Sequence, residues 1–153
     1  MAANSKREQI LKAVIARIEK LTWLKKADRK PPFFDFDRNQ FFGIANTEMP
    51  YVGVIGQFPN PNPHIYTGKQ GVADLYRSKL DVELHCVFIE KESPDSKISD
   101  YGDDVWYAIH QDLTWGKLAI NTLIKPENMT LIITPYAGFF MRLEIEYIHK
   151  NRI

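Results

Sequence analysis

Between Phe140 and His149 the sequence alternates apolar and polar side chains almost without a fault. A period of two is typical of a β-strand with one face on a core and the other in water, because successive side chains of a strand point to opposite sides. The pattern therefore predicts a long strand that closes a sheet. The apolar row expected in the core is Met141, Leu143, Ile145 and Tyr147, and the polar row is Arg142, Glu144 and Glu146.

The length of 153 residues predicts one domain spanning 1–153, because domains commonly have about 100–150 residues. A composition of 44% apolar and 25% charged residues is typical of a globular protein that can bury a core. The net charge of +1 gives no overall positive excess that would indicate a nucleic-acid-binding protein.

The single cysteine, Cys86, cannot form an intrachain disulfide, so we expect folding in a reducing, intracellular setting. Its position inside an apolar run favours a buried, unreactive side chain. No stretch approaches the roughly 20 apolar residues needed to span a bilayer, so we expect no membrane partner. The polar stretch from Met1 to Glu8 lacks the apolar region of a signal peptide.

Two segments have the spacing of amphipathic helices. The first runs from Ser5 to about Leu21, and Ser5 with Glu8 forms a capping-box pattern at its start. The second opens at Ser93 and Pro94, where serine is expected to cap the helix and proline suits the first turn. Gly116 is predicted to end this second helix.

The remaining apolar runs predict strands, and together with the helices they predict an α+β fold. Its sheet is expected to be mostly antiparallel, with both α-helices packed on one face. Three prolines predict an irregular loop at about 58–76, since proline cannot donate to a sheet ladder. The predicted strands are Trp23–Arg29, Met49–Gly56, Lys79–Lys91, Lys117–Ile124, Met129–Thr134 and Phe140–His149.

The segment 31–43 is unusually rich in phenylalanine for a stretch without clear periodicity. Such a cluster either covers an open end of the core or contacts another chain, because exposed apolar patches mark interaction sites. The sequence leaves both interpretations open. The phenylalanines are Phe33, Phe34, Phe36, Phe41 and Phe42.

The sequence shows no constellation of residues that indicates catalysis. The four histidines fall in different predicted elements without metal-site spacing, and no Cys-x-x-Cys pair occurs. Asp100, Asp103 and Asp104 are interpreted as a solvated helix face rather than as acid–base catalysts. We therefore expect no catalytic residues, no metal, no cofactor and no enzymatic activity.

The order of elements resembles the tail terminator proteins of long-tailed bacteriophages, a group related to the minor tail protein U. The resemblance covers nearly the whole chain and is one of order and pattern. The irregular loop at about 58–76 and the Phe-rich segment 31–43 have no counterpart in that family. The segments that carry the resemblance are Arg7–Ile18, Met49–Val54, Leu80–Ile89, Tyr101–Ile109 and Gly138–Tyr147.

The resemblance implies a structural virion protein that forms a ring, expected to be hexameric, in the tail or neck of a particle assembled in the host cytoplasm. Such a ring caps the tail tube, stops its polymerisation and joins the tube to a head–tail connector or stopper protein. Its partners are therefore itself, the tail tube protein and the connector, and DNA passes through without sequence-specific binding.

The Phe-rich segment and the long loop are the candidates for inter-subunit or inter-ring contacts, because long loops on a rigid sheet commonly carry function. These candidates are Phe33, Phe34, Phe36, Phe41, Phe42, Pro59, Pro61, Pro63, His64 and Tyr66. The candidates for acidic residues facing the lumen of the ring are Asp81, Glu83, Glu144 and Glu146.

An acidic sheet face would let DNA slide, because a basic one would release counterions and bind tightly. The same four carboxylates can equally be ordinary solubilising residues on an exposed sheet face. Two other functions stay open at this point. One is another neck, head-closure or tail-completion adaptor of similar fold, and the other is a small ligand-binding or metabolic α+β domain.

Overall fold

The computed structural model describes residues 5–57, 64–67, 75–125 and 129–149. Within them lie helix α1 at Lys6–Ile18 and helix α2 at Pro94–His110. The strands are β1 Lys26–Asp28, β2 Phe33–Asp35, β3 Gln40–Phe42, β4 Tyr51–Gly56, β5 His64–Thr67, β6 Leu75–Ile89, β7 Asn121–Ile124, β8 Met129–Ile133 and β9 Tyr136–His149.

The main sheet has the strand order β1-β4-β6-β9-β7, with β5 added to β6 and β8 added to β9. The β1–β4 pair is parallel, and the other pairs of this sheet are antiparallel. Strands β2 and β3 form a separate antiparallel hairpin. Strands β4 and β6, which flank the predicted loop, pair with each other along the whole of β4.

Both helices pack on the same face of the main sheet, which we call the inner face. The buried rows of β6 and β9 lie here with the buried residues of α1 and α2 in one cluster. The predicted core row of β9 is confirmed, since Leu143, Ile145 and Tyr147 are fully buried and Met141 nearly so. The α+β fold, with a mostly antiparallel sheet and two helices on one face, is therefore as the sequence predicted.

Helix α1 follows its predicted pattern closely. The hydroxyl of Ser5 accepts a hydrogen bond from the backbone N–H of Glu8 at 3.2 Å, which satisfies one of the free donors at the helix start. Ile10, Leu11, Val14 and Ile18 form the buried stripe.

Helix α2 differs from its prediction at both ends. Ser93 precedes the helix but makes no capping hydrogen bond through its side chain. The helix ends at His110 rather than Gly116, because the carboxylate of Asp112 accepts the backbone N–H groups of Thr114 and Gly116 at 2.9 and 2.8 Å. Such side-chain bonds offer the backbone an alternative to further helical turns.

Strands β6 and β9 are longer than their apolar alternation indicated. They begin at Leu75 and Tyr136, ahead of the predicted starts at Lys79 and Phe140. Their pairing is continuous from Tyr76–His149 to Ile89–Tyr136. Pairing with the partner therefore keeps each strand extended beyond the residues in which apolar and polar side chains alternate.

The predicted irregular loop at 58–76 is wrong in two places. Strand β5 lies inside it and pairs with β6 through His64–Arg77 and Ile65–Tyr76, and β6 itself starts within it. Pairing across a sheet is a long-range contact that a local sequence pattern does not reveal. The predicted contact residues Pro59, Pro61 and Pro63 lie outside the described residues.

Candidate functional site

The Phe-rich segment folds as the β2–β3 hairpin, which lies over the face of the sheet opposite the helices, here called the outer face. Phe34 and Phe41 are paired across the hairpin and point toward the sheet. Their rings lie 5.8 and 5.1 Å from the ring of Tyr136, in edge-to-face contacts. The buried residues of this second cluster are Phe41, Ile44, Met49, Tyr51, Val87 and Tyr136.

The other phenylalanines of the hairpin are exposed. Phe33 and Phe42 are also directly paired across the strands, and their exposed fractions are 65% and 67%. Phe36, in the connecting turn, is 78% exposed. The two interpretations of this segment therefore concern different residues: Phe34 and Phe41 cover the sheet, while the contact with another chain stays a prediction that now rests on Phe33, Phe36 and Phe42.

The four carboxylates predicted to face a lumen all lie on the outer face, between the alternating core residues of β6 and β9. Basic residues lie among them, so this part of the face is balanced in charge rather than acidic as expected. The carboxylates are Asp81, Glu83, Glu144 and Glu146, and the basic residues are Arg77, Lys79, Lys125 and Arg142.

The ion pairs on this face connect neighbouring strands. Lys125 Nζ and Lys79 Nζ lie 2.8 and 3.4 Å from the carboxylate of Glu144, and the hydrogen bond from Lys125 lowers the pKa of that carboxyl group. Arg77 Nε donates to Glu146 at 3.0 Å. Cross-strand pairs of opposite charge stabilise a sheet, which is one role that these residues have in the folded chain.

Glu83 holds the second part of this network. Arg142 Nη2 donates to Glu83 Oε1 at 3.1 Å, and His85 Nε2 lies 3.2 Å from Glu83 Oε2. Burial alone would raise the pKa of Glu83, but the hydrogen bonds with His85 and Arg142 outweigh it and lower the pKa.

Beside Glu83 and His85 a cavity of about 330 Å³ opens between the hairpin and β8. Its other walls are mainly apolar and include Phe41, Leu131 and Phe140. The imidazole of His85 lies 4.9 Å from the ring of Phe140, measured between ring centres. The arrangement can hold a small apolar group with a polar edge.

A second cavity, of about 210 Å³, lies between α2 and the edge strand β8. Trp106 of the helix and Met129 of the strand border it, with exposed fractions of 42% and 67%. Gly102 lines it from the middle of α2, and a Cβ atom added there would meet no heavy atom within 4 Å. We call this cavity and its borders the α2–β8 groove.

The polar groups that could suggest chemistry are mostly buried or dispersed. Burial strongly raises the pKa of the Cys86 thiol, which keeps it protonated and unreactive. Ser78 Oγ lies 2.7 Å from His149 Nε2 on the inner face, where both residues are buried. Asp100, Asp103 and Asp104 are exposed on α2, as predicted. Across the described ranges, no three His, Cys, Asp or Glu side chains are grouped so as to hold a metal ion.

Two predicted contact residues, His64 and Tyr66, lie in β5 at the sheet rather than in an irregular loop. The α2–β8 groove was missed at the sequence level. The available signal was the glycine in the middle of a predicted helix, since glycine there costs stability and calls for a reason.

No protein-family model matches this chain, and no curated protein matches it in sequence. None of the helices in the described part of the chain is both long and apolar enough to cross a membrane.

Proposed function

We propose that this protein is a structural subunit that assembles with copies of itself into a ring, as a tail terminator of a long-tailed bacteriophage. The observation that carries the proposal is the outward aromatic surface of the β2–β3 hairpin. Phe33, Phe36 and Phe42 are large apolar side chains exposed on a chain that has a well-buried core elsewhere. Several exposed aromatic side chains in one short segment are typical of surfaces that contact a partner.

The hairpin is a suitable platform for such a contact. Phe34 and Phe41 anchor it on the sheet, so the outward side chains are held by a packed element rather than by a free loop. A ring needs a heterologous interface, in which two different patches of neighbouring subunits meet. The exposed phenylalanines of one copy would form such an interface by packing against a different surface of the next copy.

The outer face of the sheet supports the expected passage of DNA. A surface that neutralises phosphates releases counterions and binds DNA tightly, whereas a charge-balanced surface does not. Arg77, Lys79 and Lys125 are paired with carboxylates, so they offer little uncompensated positive charge.

The proposal is tested by the mass of the protein in solution. The wild type is expected to form a ring, and the triple variant Phe33→Ser/Phe36→Ser/Phe42→Ser is expected to be a folded monomer, measured by light scattering and circular dichroism. The matched control is Phe34→Ser, which removes an aromatic residue from the same hairpin but from its packed side. It should lower the thermal midpoint instead of acting only on assembly.

A wild type that stays monomeric, or a triple variant that still assembles, contradicts the proposal. The specific role is tested by adding tail tube protein and imaging the product. Rings at the end of tubes support a terminator, while rings found only against the head connector support the alternative of a neck or head-closure adaptor.

A small ligand-binding domain is the second candidate, favoured by the cavity beside Glu83 and His85. Its volume of about 330 Å³ lies at the lower end of the range of small-molecule sites, which is roughly 300–1,000 Å³. A screen of small aromatic compounds by ligand-observed NMR tests it. Binding that Leu131→Trp abolishes would favour this function, and binding that this variant leaves unchanged would contradict it.

A further inference from the structure

The cavity between the β2–β3 hairpin and β8 has the size and the walls of a small-molecule site. Its volume is about 330 Å³, whereas an apolar cavity of about 150 Å³ is already enough to bind benzene. Phe41 of the hairpin, Leu131 of β8 and Phe140 of β9 contribute walls from three different elements. The cavity therefore has room for an aromatic ring system larger than benzene, between aromatic and aliphatic side chains.

The charged groups beside the cavity compensate each other. Glu83 Oε1 accepts a hydrogen bond from Arg142 Nη2 at 3.1 Å, and Glu83 Oε2 lies 3.2 Å from His85 Nε2. Both carboxylate oxygens are therefore engaged, and the guanidinium of Arg142 balances the negative charge of Glu83. A charged ligand would lose its hydration on entry without gaining an unpaired partner, so the cavity favours a neutral ligand.

The contact with Glu83 also determines which nitrogen of His85 carries the proton. Although burial opposes it, the hydrogen bonds with His85 and Arg142 lower the pKa of Glu83, so this carboxyl group is ionised at neutral pH. An ionised carboxylate only accepts hydrogen bonds, so His85 Nε2 is the donor and, in the neutral imidazole, Nδ1 is an acceptor. Among the described residues no hydrogen bond reaches Nδ1, and the side chain that carries it lines the cavity and is 29% exposed.

We propose that this cavity binds a small neutral aromatic molecule that carries an N–H or O–H donor. The ring of the ligand packs among Phe41, Leu131 and Phe140, and its donor bonds to His85 Nδ1. The inference rests on the second candidate function, a small ligand-binding domain, and it specifies the chemistry of the ligand. It does not depend on the ring, because the walls named here belong to one copy of the chain.

Indole and 1-methylindole test the proposal, because they share a ring system and differ in whether the ring nitrogen carries a hydrogen. Their affinities for the full chain are measured by NMR titration at about pH 8, where an imidazole is neutral. Indole is expected to bind at least about tenfold more tightly, because 1-methylindole displaces water from the acceptor without replacing its hydrogen bond. Equal affinities for the two compounds would overturn the proposal.

The variant His85→Phe separates the hydrogen bond from the shape of the ligand. It keeps an aromatic ring beside Phe140 but has no acceptor, so the preference for indole is expected to disappear while 1-methylindole still binds. The matched control is His110→Phe, which replaces an exposed histidine of α2 outside the cavity and should keep the preference of the wild type. Circular dichroism shows whether each variant is folded. If His85→Phe does not fold, the comparison of the two ligands on the wild type still decides.

The results distinguish the chemistry of the ligand from the candidate function. If both compounds bind equally well and Leu131→Trp abolishes the binding of both, the ligand-binding function stands and the donor requirement is wrong. A folded His85→Phe variant that still prefers indole would show that Nδ1 is not the acceptor. If neither compound binds up to its solubility limit, the inference fails, and the ligand-binding function fails with it when the wider screen of aromatic compounds also finds no ligand.

Discussion

Arg17 joins the two helices through the last residues of α2. Its Nη1 donates hydrogen bonds to the backbone carbonyls of Ile109 and Asp112 at 3.1 and 2.7 Å, and its guanidinium lies 3.8 Å from the centre of the Trp115 ring. The carbonyls at a helix C-terminus have no partner within the helix and carry partial negative charge. A single side chain of α1 therefore caps α2 and holds the turn that follows it.

Replacing this residue tests how much the cap contributes. Arg17→Met keeps the apolar stem but loses the charge-assisted hydrogen bonds to the carbonyls of Ala108, Ile109 and Asp112, so the free energy of unfolding should fall by about 1.5–3 kcal/mol. Urea denaturation followed by circular dichroism measures the change. Lys12→Met, on the exposed side of the same helix, is the control and should change stability little; an equal loss in both variants would contradict the capping role.

Asp112 gives the same turn a dependence on pH. The hydrogen bonds that its carboxylate accepts, first from the Thr114 hydroxyl and then from the N–H groups of Gly116 and Thr114, lower its pKa to about 2. Because the folded-state pKa lies below the unfolded one, the stabilisation is present above about pH 4 and is lost as the pH falls through about 2.

We therefore expect the wild type to lose stability more steeply than Asp112→Asn between about pH 4 and pH 2. The measurement is a set of urea denaturations across that interval. If stability depends on pH in the same way for the two proteins, the Asp112 carboxylate has the same pKa in the folded and unfolded states, and the prediction is wrong.

Among the described elements, β6 and β9 each pair with three strands, and the partners of β9 are β6, β7 and β8. At one place its partner comes unusually close. A Cβ atom at Gly138 would collide with the backbone carbonyl oxygen of Cys86 on β6. A backbone atom in a central ladder cannot move aside as the end of a side chain can, so only glycine fits at this position.

Alanine substitutions at two glycines compare Gly138, where a Cβ atom would collide with the backbone, with Gly102, where the space for it is empty. Gly138→Ala should destabilise the protein by about 1–3 kcal/mol, because the sheet must shift to admit the methyl group. Gly102→Ala should instead stabilise it by up to about 1 kcal/mol, because alanine favours the helix and the space is empty. Thermal and urea denaturation measure both, and a loss of stability in Gly102→Ala would contradict the open groove.

The regular elements were largely predictable from local pattern. The alternation of β9 and the helical stripe of α1 each bury one face, so the sequence period and the structure agree. The end of α2 was not predictable in this way, because it depends on the hydrogen bonds of Asp112. The phenylalanines that cover the sheet and those that are exposed are separated by the register of the β2–β3 hairpin. This register was not predictable, because the segment has no clear apolar period.

For the whole molecule, we expect DNA binding to depend more on the balance of charge on the outer face than on the net charge of +1. The four basic residues of that face are offset by the carboxylates beside them, among which Glu144 and Glu146 contact three of the four. Removing those two carboxylates would leave a row of uncompensated cations on one side of the sheet.

We expect the double variant Glu144→Gln/Glu146→Gln to bind double-stranded DNA at about 50 mM salt and to lose most of that affinity by about 200 mM salt. The wild type should bind little at either concentration, as measured by fluorescence anisotropy. Asp95→Asn/Asp100→Asn changes the net charge equally but on α2, and it is the control. Equal DNA binding by the two double variants would show that net charge, not the sheet face, decides.

The position of β9 along the chain also determines when this molecule can fold during synthesis. Strands β6, β7 and β8 all precede β9, yet each depends on it for a neighbour in the sheet. Until β9 leaves the ribosome, the apolar row of β6 lacks its longest partner and the six buried residues that β9 adds to the core. Pairings this distant in sequence form slowly, and such a nascent chain is prone to aggregation while it waits. The protein therefore reaches its folded state only after nearly all of the sequence shown has been translated, and its yield in the cell should depend on chaperones that bind apolar strands.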